Sequence, residues 1–354
     1  MGRVTLQSIA DRTGVSRMTV SNAFSRPDQL SAELRERILA AAEELGYVGP
    51  DPAARALAKG SVGAVGVLLT DRLSDAFRDD VATAFLAAVA DALAARGLAL
   101  TLLTPATGTE SVPARDVAVD GALVYVCDPD SPDLAWLTKR GLPMVGVDQP
   151  PAPELAAVNV DDRVGARAAA QHLLDLGHRR IGVLTLGKDE GSRLTDLADL
   201  ELRGFAATER LAGWLAVLEP AGITPTVALS PYRPPEAAYD GARALLDQPE
   251  RPTAILCFSD AFAAETVRAA RDLGLSVPGD LSVVGYDDSS LSRLVDPPLS
   301  TVRQDLAAKA EEAVAKLAAV MTAAKRGEQP EVERTVLPTE LVVRGSTGPA
   351  PQEA

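Results

Sequence analysis

A chain that alternates short, uniformly apolar runs with stretches of helix length has few folds open to it, and beyond Val62 this one does little else. The runs at 65–69, 98–103, 122–126, 144–147, 181–186, 254–258 and 282–284 show no polar face, as strands buried on both sides must. The intervening stretches 82–96, 166–176 and 261–273 are helical in length and stop at Gly97, Gly177 and Gly274. Parallel strands need a crossover, usually a helix, so the pattern predicts an α/β body of repeated β-α-β units with parallel sheets. The alternation breaks near Asn159-Val160-Asp161-Asp162 and restarts, which predicts two similar lobes across residues 62–343 with a cleft between them. The chain is expected to exchange lobes near 159–162, near 287 and near 326. In such sheets small molecules bind beyond the carboxyl ends of the strands, so residues just after each run are the candidates for contact.

At 354 residues and 47% hydrophobic, the chain is too long for one ordinary core and too apolar for disorder. Its two cysteines, Cys127 and Cys257, form no C-x-x-C pair, which excludes a disulfide framework and a cysteine zinc site and points to a reducing compartment. With no charged leader before an apolar core, and no run near the roughly 20 apolar residues of a membrane helix, the expectation is a soluble, cytoplasmic protein without a membrane partner. The formal charge of −14 argues against nucleic acid. Its distribution reverses that inference for one end. Residues 1–60 carry eight Lys or Arg against seven Asp or Glu, so the acidity lies in the remainder. Within residues 1–26, Arg3, Arg12, Arg17 and Arg26 face Asp11 alone. A small DNA-reading head on an acidic body would show this pattern.

The first residues have the matching architecture. Thr5 is suited to cap a helix over 5–13 with Leu6, Ile9 and Ala10 on one face. Gly14 permits a tight turn, Ser16 caps a second helix carrying Val20 and Phe24, and Ser31 caps a third whose apolar stripe ends at Gly46. With Val20 and Phe24 inward, the second helix turns Arg17, Met18, Ser21 and Asn22 outward. Arg can pair with guanine and Asn with adenine, while Ser16, Thr19 and Ser21 hydroxyls can reach phosphates or base edges. A plain solvated helix face has the same polarity, and the face alone does not separate the two.

The run Val4-Thr5-Leu6-Gln7-Ser8-Ile9-Ala10, with Gly14-Val15-Ser16, Thr19-Val20-Ser21 and Leu45-Gly46-Tyr47-Val48, resembles the DNA-binding head of the lactose-repressor and purine-repressor family of bacterial transcription regulators. The segments 171–182 and 282–288 resemble the body of the same family, so the likeness covers nearly all of residues 4–343. It implies a helix-turn-helix head over 1–48, a hinge helix and linker over 49–61, a two-lobed periplasmic-binding-protein-like body over 62–343, and a flexible tail over 344–354. In that family the hinge folds in the DNA minor groove and a leucine wedges between base pairs. Leu57 stands at the matching place, with Ala54 on the same short helix, although Gly49 adds a residue before Pro50 and departs from the family's usual run of tyrosine, apolar residue and proline. An isolated helix of this length is marginal in water and needs a partner.

The resemblance further places Arg210, Asp287 and Phe77 in an effector site: a guanidinium fork for hydroxyls or a carboxylate, an acceptor for sugar hydroxyls, and an aromatic that stacks on a ring. Asp162, Ser259, Asp260 and Tyr232 are further candidates. It implies a double-stranded, pseudo-palindromic operator and a homodimer, since the tail lacks the apolar heptads of a tetramerising coil. No nucleophile elbow, phosphate loop or H-E-x-x-H occurs, and the only histidines, His172 and His178, flank a helix end. No enzyme, cofactor or metal is expected, and Asp128 and Asp130 around Pro129 read as a turn. The function that follows is a transcription regulator, a repressor, whose operator affinity changes with a small effector, a sugar or glycoside. A purine or nucleoside corepressor, or a solute sensor that binds no DNA, are the alternatives.

Overall fold

The computed structural model describes residues 4–352 except 50, 70–71, 105–110, 127–130, 235 and 330, and it falls into two compact units, Met1–Gly63 and Ala64–Ala354. Cys127, Asp128 and Asp130 lie outside the described residues.

In the first unit the caps form where Thr, Ser and Ser stand. Thr5 Oγ1 accepts the Ser8 amide at 3.3 Å and starts α1 (Leu6–Thr13), which stops at Gly14 in the left-handed region, φ 69°. Ser16 starts α2 (Arg17–Ser25) and Ser31 starts α3 (Ala32–Glu44). Ile9, Val20 and Ile38, one from each helix, are fully buried and form a small core. Beyond it α4 (Pro52–Lys59) is formed, two turns long.

The second unit begins with β1 (Ala64–Leu69), α5 (Leu73–Ala76), α6 (Asp80–Ala94), β2 (Ala99–Leu103), α7 (Pro113–Asp116), β3 (Gly121–Tyr125), α8 (Pro132–Lys139), β4 (Met144–Val147) and β5 (Ala156–Val160), which build the first lobe. The chain crosses at 160–162 into α9 (Asp162–Asp175), β6 (Ile181–Leu186), β7 (Arg193–Thr195), α10 (Phe205–Leu218), β8 (Thr226–Ser230), α11 (Ala237–Leu246), β9 (Ala254–Cys257), α12 (Asp260–Asp272), β10 (Ser282–Asp287), α13 (Leu291–Leu294) and β11 (Ser300–Gln304) of the second. It returns through α14 (Leu306–Lys325) and β12 (Arg334–Leu337), then crosses back for β13 (Thr339–Val342). The first sheet, ordered β12-β5-β4-β3-β1-β2, is wholly parallel; the second, β13-β11-β10-β9-β6-β8-β7, is parallel except at its two edge strands. Helices cover both sheets, and Gly97, Gly177 and Gly274 end their helices with φ of 66°, 90° and 73°. No helix among the described residues is long and apolar enough to cross a membrane.

Three expectations change. The lobe exchanges expected near 287 and near 326 fall at 304–306 and 337–339, because β11 still pairs with β10 before α14 leaves. The strands responsible, Ser-Thr-Val-Arg-Gln and the half-exposed edge strands β12 and β13, carry too many polar residues to read as apolar runs. Strands β5 and β8 were not among the expected runs either. Last, residues 344–352 are not a flexible tail. Ser346 is fully buried: its Oγ donates to Val283 O at 2.6 Å and accepts the Ser300 amide at 2.8 Å, and its carbonyl accepts the Val283 amide at 2.8 Å. The Ala350 amide reaches Leu176 O at 2.9 Å. Short polar side chains and backbone, rather than apolar bulk, hold this segment, which leaves no hydrophobic signal in the sequence.

His178 sits at the centre of that docking, fully buried, with Nδ1 2.9 Å from Thr253 Oγ1 and Nε2 3.0 Å from Ser282 Oγ and 3.1 Å from Gly348 O. Burial holds its pKa below the usual histidine value. The folded state therefore binds fewer protons than the unfolded chain, whose histidine titrates near about 6.5. The stabilisation is complete above that pH and is lost as the pH falls below it. His178→Asn is expected to cost about 1–3 kcal/mol at pH 7.5, the price of disturbing a buried hydrogen-bonded group. Denaturant unfolding of both proteins at pH 7.5 and 5.5 should show the difference shrinking at the lower pH.

Candidate functional site

In the head, Val20 and Ala23 are buried and Phe24 meets Tyr47 edge-to-face at 5.6 Å, which fixes the rotation of α2. Arg17 and Met18 then stand exposed, Met18 at 72%, with Thr19, Ser21 and Asn22 half-buried beside them. Ser16 Oγ accepts the Thr19 amide at 3.1 Å and lies 2.8 Å from Thr19 Oγ1; Asn22 donates to Gln29 Oε1 at 3.3 Å. Thr5, also a candidate for DNA contact, caps α1 as expected, and Ser16, expected to reach phosphates or base edges, caps α2, although a hydroxyl that accepts one bond retains further capacity. Leu57 on α4 is 87% exposed, an apolar side chain presented to solvent on a helix too short to stand alone. Ala54 lies on the same helix, its side chain outside the described residues.

The body brings three of the candidate effector residues together. Arg210, fully buried on α10, donates from Nε to Asp162 Oδ1 at 2.8 Å and from Nη1 to Phe258 O at 2.5 Å, and its Nη2 lies 3.3 Å from Asp287 Oδ1. The guanidinium rests 3.6 Å above the Tyr286 ring and 4.8 Å from that of Phe258. Asp162 comes from the start of α9 and Asp287 from the end of β10, so one side chain ties three elements at the carboxyl edge of the second sheet. Burial pushes Asp287 up to about 8 against the pull of Arg210, and raises Asp162 likewise. Burial also draws the Arg210 pKa down, but Asp162 and Asp287 outweigh it and raise the net value.

Of the remaining candidates, Ser259 caps α12 by accepting the Phe262 amide at 3.3 Å. Asp260 accepts from Thr301 Oγ1 at 2.5 Å and the Ser289 amide at 2.7 Å, with burial lifting it to about 6. Both are occupied in holding loops. Tyr232 is half-buried under the Arg233 guanidinium at 4.8 Å, and Phe77 is 56% exposed just after α5.

A second set of residues went unnoticed in the sequence. Gln304 donates to Asp287 Oδ1 at 2.7 Å and accepts from Lys309 Nζ at 2.5 Å, and Lys309, only 1% exposed, donates to Asp148 Oδ2 at 2.6 Å. Asp148 Oδ1 is buried without a partner among the described residues. Asp148 directly follows the apolar run of β4, so the rule that points to residues after a run could have found it. Lys309 lies in an alanine-rich helix and reads as a solvated charge. Among the described residues the non-glycine positions with positive φ are Val126, Asp148, Asp287 and Asp288, all at the carboxyl ends of β3, β4 and β10. Backbone strain is thus gathered where strands of both sheets end. The edge offers acceptors and guarded cations. No group of three His, Cys, Asp or Glu among the described residues could hold a metal, and burial pushes the Cys257 thiol up to about 12, which leaves it inert.

Residues 5–49 match the bacterial regulatory proteins of the lacI family, and residues 170–347 match the periplasmic binding protein-like domain. The chain is 39% identical over 362 residues to the HTH-type transcriptional regulator Rv3575c of Mycobacterium tuberculosis, with 98% of each chain covered. Its fold is similar to that of a transcriptional regulator CelR-cellobiose complex, with a TM-score of 0.70 and 28% identity over 97% of this chain and 100% of the other. It is also similar to the lac repressor dimer bound to operator and the anti-inducer ONPF, with a TM-score of 0.79 and 26% identity over 98% of this chain and 100% of the other. With a capped helix-turn-helix in its first residues and a two-lobed α/β body in those that follow, the chain belongs to the lacI family of bacterial regulatory proteins and is a DNA-binding transcriptional regulator.

Proposed function

We propose that this regulator is a homodimeric repressor of a pseudo-palindromic operator, and that a neutral sugar or glycoside in the interlobe cleft changes its hold on DNA. The observation that carries the effector reading is Arg210, buried between Asp162 and Asp287 at the carboxyl edge of the second sheet. The buried or nearly buried carboxylates Asp148, Asp162 and Asp260 outnumber the buried cations Arg210 and Lys309 around this edge even with Asp287 left out as protonated, and both cations already hold carboxyl groups. An anionic effector would meet like charge with no free cation among the described residues of this edge to receive it, whereas hydroxyls find acceptors. The solved relative with cellobiose and the lac repressor with operator support the same reading. Effector and operator then couple by linkage: whichever lobe arrangement the effector prefers, its effect on DNA affinity equals the effect of DNA on its own affinity.

Selection of bound sequences from random DNA by the full-length protein, at one stated salt concentration, tests the DNA side; enrichment of a two-half-site palindrome is expected, and no enrichment with or without added sugars would count against the reading. The operator so found then serves to screen glucose, cellobiose, maltose, glucose 6-phosphate, adenosine and guanine. A response to a neutral sugar supports the proposal, while a response confined to the phosphate or to the purines overturns its effector part.

Three variants sharpen it. Arg17→Ala should cost about 1–3 kcal/mol at particular base pairs of the selected operator, not uniformly over all sequences; binding titrations on single-base operator variants decide. Removing the charge at 210 would strand buried carboxylates, so the informative change is Arg210→Lys, which keeps the charge and loses the fork. It should abolish the sugar response and leave operator affinity within about twofold, measured by fluorescence anisotropy. Asp287 sits at φ 107°, which Asn tolerates, and its raised pKa means the folded state holds a proton that the unfolded chain releases. That stabilisation is present at low pH and is lost as the pH rises toward about 8. Asp287→Asn removes the loss, so its melting temperature relative to the parent should increase between pH 5 and pH 8 in thermal scans.

A further inference from the structure

Both lobes reach across the cleft at one short segment. Arg233, between β8 and α11 of the second lobe, donates from Nη2 to Asp75 O at 2.9 Å, and the same nitrogen lies 3.8 Å from Asp79 Oδ2 in the first lobe. Ser290 Oγ of the second lobe donates to Asp80 Oδ2 at 2.9 Å. All three acceptors fall within residues 75–80, where α5 ends and α6 begins. The Asp75 carbonyl is a helix-end acceptor that also receives the Phe77 and Arg78 amides, a place that favours a cation. Asp79 divides its carboxylate: Oδ1 caps α6 by accepting the Val81 amide at 2.8 Å and the Ala82 amide at 3.0 Å, and Oδ2 faces Arg233. The contact is secure enough to hold and loose enough to release. The two side chains are only 22% and 12% exposed, but the ion pair is long, and the buried Nε of Arg233 has no partner among the described residues, so the side chain is held by its tip.

We propose that Arg233 is a positioning residue for the effector response: a clasp from the second lobe onto the start of α6 that keeps the cleft closed, so that release or retention of the clasp is what effector occupancy changes. The clasp borders the effector edge itself. Asp79 acts electrostatically on both Asp287 and Tyr125, and α6 carries Phe85, stacked on Tyr125 at 4.5 Å and fully buried in the core of the first lobe. A shift of the 75–80 segment would be passed into that core through a close-packed contact. The proposal rests on the cleft being the effector site, and it adds the residue through which closure is set.

The test needs no identified effector. In the full-length chain with Cys127→Ser, spin labels on Ala135→Cys and Ala221→Cys, both exposed, report the distance between the lobes by pulsed electron resonance; Cys257 is buried and does not label. The unliganded parent is expected to give one closed distance. Arg233→Met should add a population longer by more than about 2 Å, the scale of a true domain rearrangement. Arg233→Lys should restore the closed distance, since a single N–H to a carbonyl and a long ion pair need a point charge and not a fork. Asp79→Asn keeps the helix cap while losing the charge and should open the cleft to a lesser degree, which guards against misreading a folding defect. An unchanged distribution in a folded Arg233→Met variant overturns the proposal, as does a lengthening that Arg233→Lys leaves in place. Because the distances are read without ligand or DNA, they decide the clasp even where no sugar alters operator binding.

Discussion

Arg210 has been taken out of water entirely, and a guanidinium in that position cannot be left alone. Its partners come from three separate parts of the second lobe: Asp162 at the start of α9, the carbonyl of Phe258 after β9, and Asp287 at the end of β10. Desolvating a charge costs several kcal/mol, so the burial is sustainable only with all of these contacts in place. Removing one partner of such a set typically costs about 3–5 kcal/mol, because the other charges stay behind in a medium that cannot screen them. Arg210 thus fixes the relative position of α9, α10 and β10 more sharply than apolar packing could, since apolar contacts tolerate sliding and a hydrogen-bonded fork does not.

Order at this edge is obtained against local preference. Asp287 and Asp148 adopt positive φ, and Asp287, Asp162 and Asp260 are all held with raised pKa values by burial. Each is a departure from what the residue would choose in isolation, costing on the order of 1–3 kcal/mol for a strained backbone position. Such departures persist where surrounding structure over-determines them, and here the determination comes from the parallel sheets beneath. A ligand that donated hydrogen bonds to these carboxyls would offset part of their desolvation, a source of binding free energy that a fully solvated surface lacks.

How far the sequence disclosed this depends on what kind of signal each element carries. The central strands and the helices capped by Gly97, Gly177 and Gly274 were legible because burial on both faces demands continuous apolar runs and a helix end demands positive φ. The head was legible for a similar reason, as Thr5, Ser16 and Ser31 cap where they stand. Edge strands β12 and β13 were not, since half-exposed strands carry charges that break the run. Residues 344–352 were hidden more deeply: Ser346 and His178 hold them through hydrogen bonds to backbone and short hydroxyls, and glycine- and proline-rich composition says nothing of such partners. In the site, Arg210, Asp162 and Asp287 were named from the sequence and lie together, but the purpose of the fork was incomplete. It was expected to hold a ligand, and it is largely engaged by the protein. Lys309 escaped because a lysine between alanines gives no hint that its ammonium will be buried against Asp148 and Gln304.

The hydrogen bonds running from Asp287 through Gln304 to Lys309 and Asp148 connect the two lobes at the crossover where β11 gives way to α14. Asp287 ends a strand of the second sheet and Asp148 directly follows β4 of the first, so this chain of contacts joins the two lobes, as Arg233 does from the segment between β8 and α11. Two attachments of opposite character result. The Lys309 contact is short, almost wholly buried and made by an ammonium with two acceptors, and it favours a fixed pivot. The Arg233 contact pairs an ordinary hydrogen bond with a long ion pair and is more exposed, as a clasp that opens would require. A hinge needs one end that holds and one that lets go, and if the Arg233 clasp opens as proposed, the Lys309 contacts at the crossover are the part that would hold.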